Sequence, residues 1–250
     1  MNDLAVSTIV FACVFGGTLL GILLRANLPK SHLSAESRDV IKVAMGTIAT
    51  MTAVVLGLLV ASAKAYYDNQ SHEVTDMSAR IVLLDRILAH YGPEAKDARN
   101  ELHDSAVRLL DRMWNQRSST AAKVEPSMAG EVVFDKIQEL SPQNDLQRTL
   151  HARALNLAVE IGQIRWLMFE QATVSISTPM LLVVIFALTI TFTSFSLHAA
   201  PNPTVITTFI LCALAVSSTI FLILEMYRPF QGLIQIPSDP LRDALAHLGQ

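Results

Sequence analysis

Charge is what this chain has least of. Only 16% of its 250 residues are Asp, Glu, Lys or Arg, where soluble domains carry about 25%. There is no basic excess either: the net charge is −3, which argues against a nucleic-acid partner. Cysteine is nearly absent. Cys13 and Cys212 both lie in apolar runs, without the paired spacing of a metal site or a redox motif, and read as small hydrophobes. The chain also lacks a Walker loop, a glycine-rich dinucleotide fingerprint, a zincin helix and a nucleophile elbow. No enzyme and no cofactor is expected. His72, Glu73 and Asp76 lack metal-ligand spacing and read, like His103 and Asp104, as a solvated face, so no metal is expected.

What the chain has instead is apolar length: 51% of it is hydrophobic. Leu4 to Leu24 is an uncharged run of 21 residues. It lacks the basic start and cleavage site of a signal peptide and reads as a retained first span. Gly16, Gly17 and Gly21 within it predict close packing on another helix. After a polar connection with Ser34 as the expected helix cap and Glu36 in the first turn, a second uncharged run of 21 residues lies between Lys42 and Lys64. Ala172 to Leu197 supplies a third span at about 178–197, and Thr204 to Leu224 a fourth.

The second run organises the rest. At 100° per residue, Lys42, Gly46, Thr50, Ala53, Gly57, Ala61 and Lys64 share one face, while Met51, Val55, Leu58 and Leu59 fall opposite and are expected to face lipid. Two readings of the small stripe stand: a contact surface for a neighbouring helix, or a pore wall with a lysine near each mouth. The helix is expected to continue past the membrane as a rod of about 75 Å over residues 40–91, ending at Gly92-Pro93. Val74, Met77, Ile81, Leu84, Leu88 and Tyr91 form a heptad seam, either a core-facing stripe or an oligomeric coiled coil.

Between the second and third spans, helices are expected over 93–117 and 129–140, separated by the turn-rich RSSTAAKVEPS. A long helix follows, with Ser141-Pro142 as cap and first residue and Leu146, Leu150, Leu157, Ile161, Ile164 and Met168 on its apolar face. Asp85 and Arg86 read as a surface pair, Trp114 as soluble core and Trp166 as an interfacial belt residue. Glu225 and Arg228, where the fourth span meets water, read as an ion pair or as gating or ion-binding groups. The fold class is therefore all-α membrane protein: residues 1–64 hold spans 1 and 2, 65–171 an inserted helical soluble domain, 172–227 spans 3 and 4, and 228–250 a tail with a short amphipathic helix.

The stretches LPKSHLSAESRDVIKVAMGTIATM, LGLLVASAKAYYD, IVLLDRILAHYGPE, IRWLMFEQA and ILEMYRPFQGLIQIPSDPLRDALAHLGQ resemble the bacterial bestrophin-like integral membrane family, named for a domain of unknown function, over nearly the whole chain. Members often carry an acid where this chain has Tyr227, so no charge role is carried over to that position, though Glu225 remains. True bestrophins are pentameric chloride channels whose second span lines the pore and ends in an aromatic–acid pair. AKAYYD is similar to that ending and adds Asp68 to the gating candidates. The resemblance implies a homo-oligomer, a pentamer by that likeness, in the lipid bilayer of a bacterial inner membrane. It further implies passive conduction of inorganic ions along the second helix, and a soluble domain and both termini in the cytoplasm. Counting Lys and Arg does not decide orientation: the dense first connection leans toward that loop being cytoplasmic. The alternative function is a non-conducting membrane scaffold or sensor whose soluble helices bind a partner.

Overall fold

The computed structural model describes residues 3–29, 35–115, 129–172, 176–199 and 202–249. The Ser34 cap and most of the RSSTAAKVEPS loop lie outside them, as does the side chain of Glu36. Among the described residues eight α-helices follow in chain order: α1 Asp3–Asn27, α2 Ala35–Tyr91, α3 Lys96–Leu110, α4 Ala129–Gln138, α5 Asp145–Ala172, α6 Thr178–His198, α7 Pro203–Met226 and α8 Asp239–His247. No strand occurs among the described residues. The protein is an all-α membrane protein, and among the described residues four helices are long and apolar enough to cross a bilayer: α1, the first part of α2, α6 and α7.

Local chemistry sets the helix ends. α2 stops at Tyr91 because Gly92 adopts φ 132°, a conformation that costs glycine little, and Pro93 then opens a 3₁₀ turn over Pro93–Ala95. Asn202 caps α7, its side chain accepting from the Val205 N–H at 2.9 Å, with Pro203 in the first turn. The long helix α5 starts later than the Ser141-Pro142 motif predicts. Asn144 is its cap, accepting from the Gln147 N–H at 2.8 Å. An Asx side chain caps as well as serine, and the Gln147 carboxamide accepts the Gln143 N–H.

The chain divides into two compact units, Met1–Tyr66 with Ser175–Tyr227, and Tyr67–Val174 with Arg228–Gln250. In the first, α1 packs against α6 and α7. A Cβ on Gly17 would stand 2.8 Å from Thr193 Oγ1, and one on Gly21 2.0 Å from Ser196 Oγ, so these glycines are where α6 approaches. Their partners advance together along both helices, so α1 and α6 run parallel. Gly16 differs: nothing lies within 4 Å of its added Cβ. Cys13 and Cys212 are exposed on the outside of this unit rather than buried, consistent with small apolar side chains facing lipid. The hydroxyls of Thr189, Thr191 and Thr193 bond back to carbonyls four residues earlier, which satisfies them without water.

In the second unit the heptad seam of α2 is the core. Val74, Met77, Leu84 and Leu88 are fully buried and Ile81 and Tyr91 nearly so. They pack in one cluster with Leu102 and Ala106 of α3, Ile137 of α4, Ala154 and Leu157 of α5, and Ile236 and Leu241 near the C-terminus. The seam therefore faces this chain's own helices, which is the core-facing reading. Leu146, expected on the buried face of α5, is 66% exposed, because it sits in the first turn, before the helix reaches that core. Trp114 joins the core as expected, donating its Nε1–H to the Ile236 carbonyl at 2.8 Å and meeting Phe230 edge to face.

Candidate functional site

The membrane part of α2 presents three faces. Thr52, Leu59 and Ala63 are buried, Leu59 and Ala63 in a cluster with Val184 of α6 and Ile223 of α7. About 120° round the helix, at 100° per residue, lies the small stripe. Thr50, Ala53, Gly57 and Ala61 are exposed, as are Lys42 and Lys64 at its ends, and Gly46 is half-buried. Neither Gly46 nor Gly57 has any atom within 4 Å of where a Cβ would stand. These glycines thus differ from Gly17 and Gly21: among the described residues, no other helix presses on them. Thr50 donates its hydroxyl to the Gly46 carbonyl at 2.9 Å.

The third face is large and apolar. Val40, Val43, Met51, Val54 and Leu58 are each more than half exposed. The expectation that Met51, Val55, Leu58 and Leu59 together face lipid is corrected in part. Leu59 is only 5% exposed and Val55 packs beside it, because α6 and α7 cover that side.

The candidate ionisable groups are spread out. Glu225 is 5% exposed in the first unit. Asp68 and Arg228 belong to the second unit, so the three do not gather as one site within either unit. What the geometry does bring together is a group that charge-based reasoning missed. Tyr227, which ends α7, stacks on Tyr66 with ring centroids 5.2 Å apart, and its hydroxyl lies 3.4 Å from Ser62 Oγ. The signal was present in the sequence as two tyrosines, one at the C-terminal end of each of two apolar runs.

In the second unit, Glu73 does not belong to a solvated face. It accepts a hydrogen bond from Gln171 Nε2 at 2.9 Å, and Gln70 donates to Gln171 Oε1 at 2.6 Å. Burial raises its pKa above the ordinary carboxylate value, and the Gln171 bond offsets part of that. Asp76 pairs with Arg80, which also holds Glu160. No cluster that could hold a metal ion occurs among the described residues. Asp85, expected to pair with Arg86 at the surface, is buried and bound by Arg99 instead.

A Bestrophin-like domain matches residues 12–241. The chain belongs to the Bestrophin-like family. A tryptophan-to-alanine variant of a bacterial bestrophin homologue from Klebsiella pneumoniae has the same fold, with a TM-score of 0.68 at 12% identity, covering 100% of this bestrophin-like chain and 99% of that one. An isoleucine-to-threonine variant of that homologue gives 0.64 at 14% identity, over 97% and 99% of the two chains. A third structure, phased on zinc, gives 0.63 at 12% identity over 96% of each. No curated protein matches the bestrophin-like chain.

Proposed function

We propose that this bestrophin-like chain is one subunit of a homo-oligomeric ion channel that conducts passively through a pore lined by α2. One observation carries the reading: the small stripe is open at Gly46 and Gly57, whereas Gly17 and Gly21 of α1 are clamped by α6. A row of glycine, alanine and threonine at membrane depth that no neighbour in the chain fills leaves room for water and an ion. In this reading Thr50 and Gly57 form the narrow part, Lys42 and Lys64 stand at its two ends, and Glu225, Asp68 and Arg228 are the groups that gate or bind ions. Fivefold assembly, an inner-membrane location and cytoplasmic placement of both termini and the soluble helices complete the proposal. With four spans the chain's two ends emerge on the same side, as does the segment between spans two and three.

The rival reading is a non-conducting scaffold or sensor. It is favoured by an open groove of about 580 Å³ in the second unit, lined by Asp76, Leu83, Arg153 and Glu160 among others, which a partner could occupy. Ion flux from liposomes separates the two, with chloride and potassium gradients applied in turn. The channel reading expects selective flux that falls roughly tenfold or more when Thr50 and Gly57 are both replaced by Leu, because two bulky side chains close a narrow wall. Unchanged flux in that variant overturns the wall assignment. No flux from intact, oligomeric protein favours the scaffold.

A further inference from the structure

Within the first unit, the start of α2 and the end of α6 enclose an open pocket of about 170 Å³ lined by Ile41, Lys42, Met45, Ser194, Phe195 and His198, with Ala199 closing it. Its position along the membrane normal follows from the sequence. Lys42 is the last charged residue before the uncharged run of α2, and His198 is the polar residue that ends α6. The pocket therefore sits where hydrocarbon gives way to headgroups.

Its walls have two characters. Ile41, Met45 and Phe195 are apolar, and Phe195 is 40% exposed, as suits a surface against which a hydrocarbon chain lies. The other end is cationic. Lys42 projects there, with its side chain 53% exposed, and its ion pair with Asp39 is long, at 3.9 Å, and solvated, so it competes weakly with a better anion. Arg25 donates from Nη1 to the Ala199 carbonyl, which neutralises the negative end of the α6 dipole that would otherwise repel an anion here. His198 donates from Nδ1 to the Ser194 carbonyl at 2.9 Å, which holds its ring as a fixed wall.

An apolar trough ending in a cation at headgroup depth matches one class of molecule. We propose that this pocket binds an anionic phospholipid, its phosphate on Lys42 and one acyl chain along Ile41, Met45 and Phe195. The assignment does not rest on the channel reading, since Lys42 lies on the edge of the small stripe nearest α6.

The test is native mass spectrometry of the full chain in detergent, titrated with phosphatidylglycerol, phosphatidylcholine of the same acyl length, or inorganic phosphate. One lysine at a headgroup is worth about fivefold in affinity. Phosphatidylglycerol is therefore expected to bind about fivefold tighter than phosphatidylcholine. That preference is expected to be lost in Lys42→Gln, kept in Lys42→Arg, and kept in Lys64→Gln, which removes a lysine from the other end of the same apolar run. Met45→Trp, which fills the trough, is expected to weaken both lipids together. A preference that survives Lys42→Gln, or that disappears equally in Lys64→Gln, overturns the site. Inorganic phosphate that displaces phosphatidylglycerol at equal concentration overturns the lipid assignment, because the acyl trough would then contribute nothing.

Discussion

The carboxylate of Asp85 accepts two hydrogen bonds from Arg99, from Nε at 2.7 Å and from Nη2 at 2.9 Å. This two-pronged pair joins α2 to α3 in the core of the second unit. The Asp85 side chain is 2% exposed, and its Oδ2 also takes the Gly249 N–H at 3.3 Å, so the C-terminal residues are tied to the same anchor. The carboxylate raises the pKa of Arg99 further above its already high value, first by hydrogen bonding.

Breaking this pair from one side leaves a partly exposed guanidinium without its counter-charge and a buried amide in place of the carboxylate. Asp85→Asn is expected to cost about 3 kcal/mol, seen as a lowered thermal midpoint of the detergent-solubilised protein. Arg86→Ala, at the neighbouring exposed position, is expected to stay within about 0.5 kcal/mol. Equal costs for the two would refute the assignment of Arg99 as partner.

Gly21 and Gly16 make a matched pair on α1. A methyl on Gly21 meets the Ser196 hydroxyl at 2.0 Å and the Thr193 backbone carbonyl at 2.3 Å, and backbone cannot swing aside. Gly21→Ala is expected to destabilise by about 1–3 kcal/mol through overpacking. Gly16→Ala meets open space and is expected to be neutral or to gain up to about 1 kcal/mol of helix propensity. Thermal unfolding of the two variants side by side decides it.

Trp114 holds the C-terminal segment through its bond to the buried Ile236 carbonyl. Trp114→Phe keeps the ring but removes the donor, and is expected to cost about 1–2 kcal/mol for the carbonyl left unsatisfied. The loss is expected to appear first as faster proteolytic cleavage between residues 228 and 240. Unchanged cleavage would mean that the segment is held by Leu241 and Phe230 alone.

Glu73 gives a pH-dependent expectation. Its folded pKa is raised by burial, so the folded state holds the proton more tightly than the unfolded chain does. Stability from this group is present below the unfolded value of about 4.5 and declines as pH rises through the folded one. Glu73→Gln removes the charge while keeping an acceptor for Gln171. Its thermal midpoint is expected to exceed the parent's at pH 7.5, on the order of 1 °C, with the gap closing at pH 4. A gap that widens toward acid would reverse the sign and refute the burial argument.

The spans, the long second helix and the seam from Val74 to Tyr91 were legible in the sequence because each is a local property. An apolar run of span length has few other places to go, and a 3-4 repeat marks one face of a helix whatever covers it. The small stripe on α2 was legible for the same reason. What covers a face is not local. Only the packing of α6 onto α1 separated Gly17 and Gly21 from Gly16, and only its absence over Gly46 and Gly57 set these apart from the α1 glycines. Asp85 chose Arg99 over Arg86 because a neighbour in sequence points to another side of the helix, whereas a residue on the next helix can meet a buried carboxylate head-on. Tyr227, beside Tyr66 and Ser62, acquires its place in the same way: two spans far apart in the chain end at one level, and side-chain contact there is decided by tertiary structure.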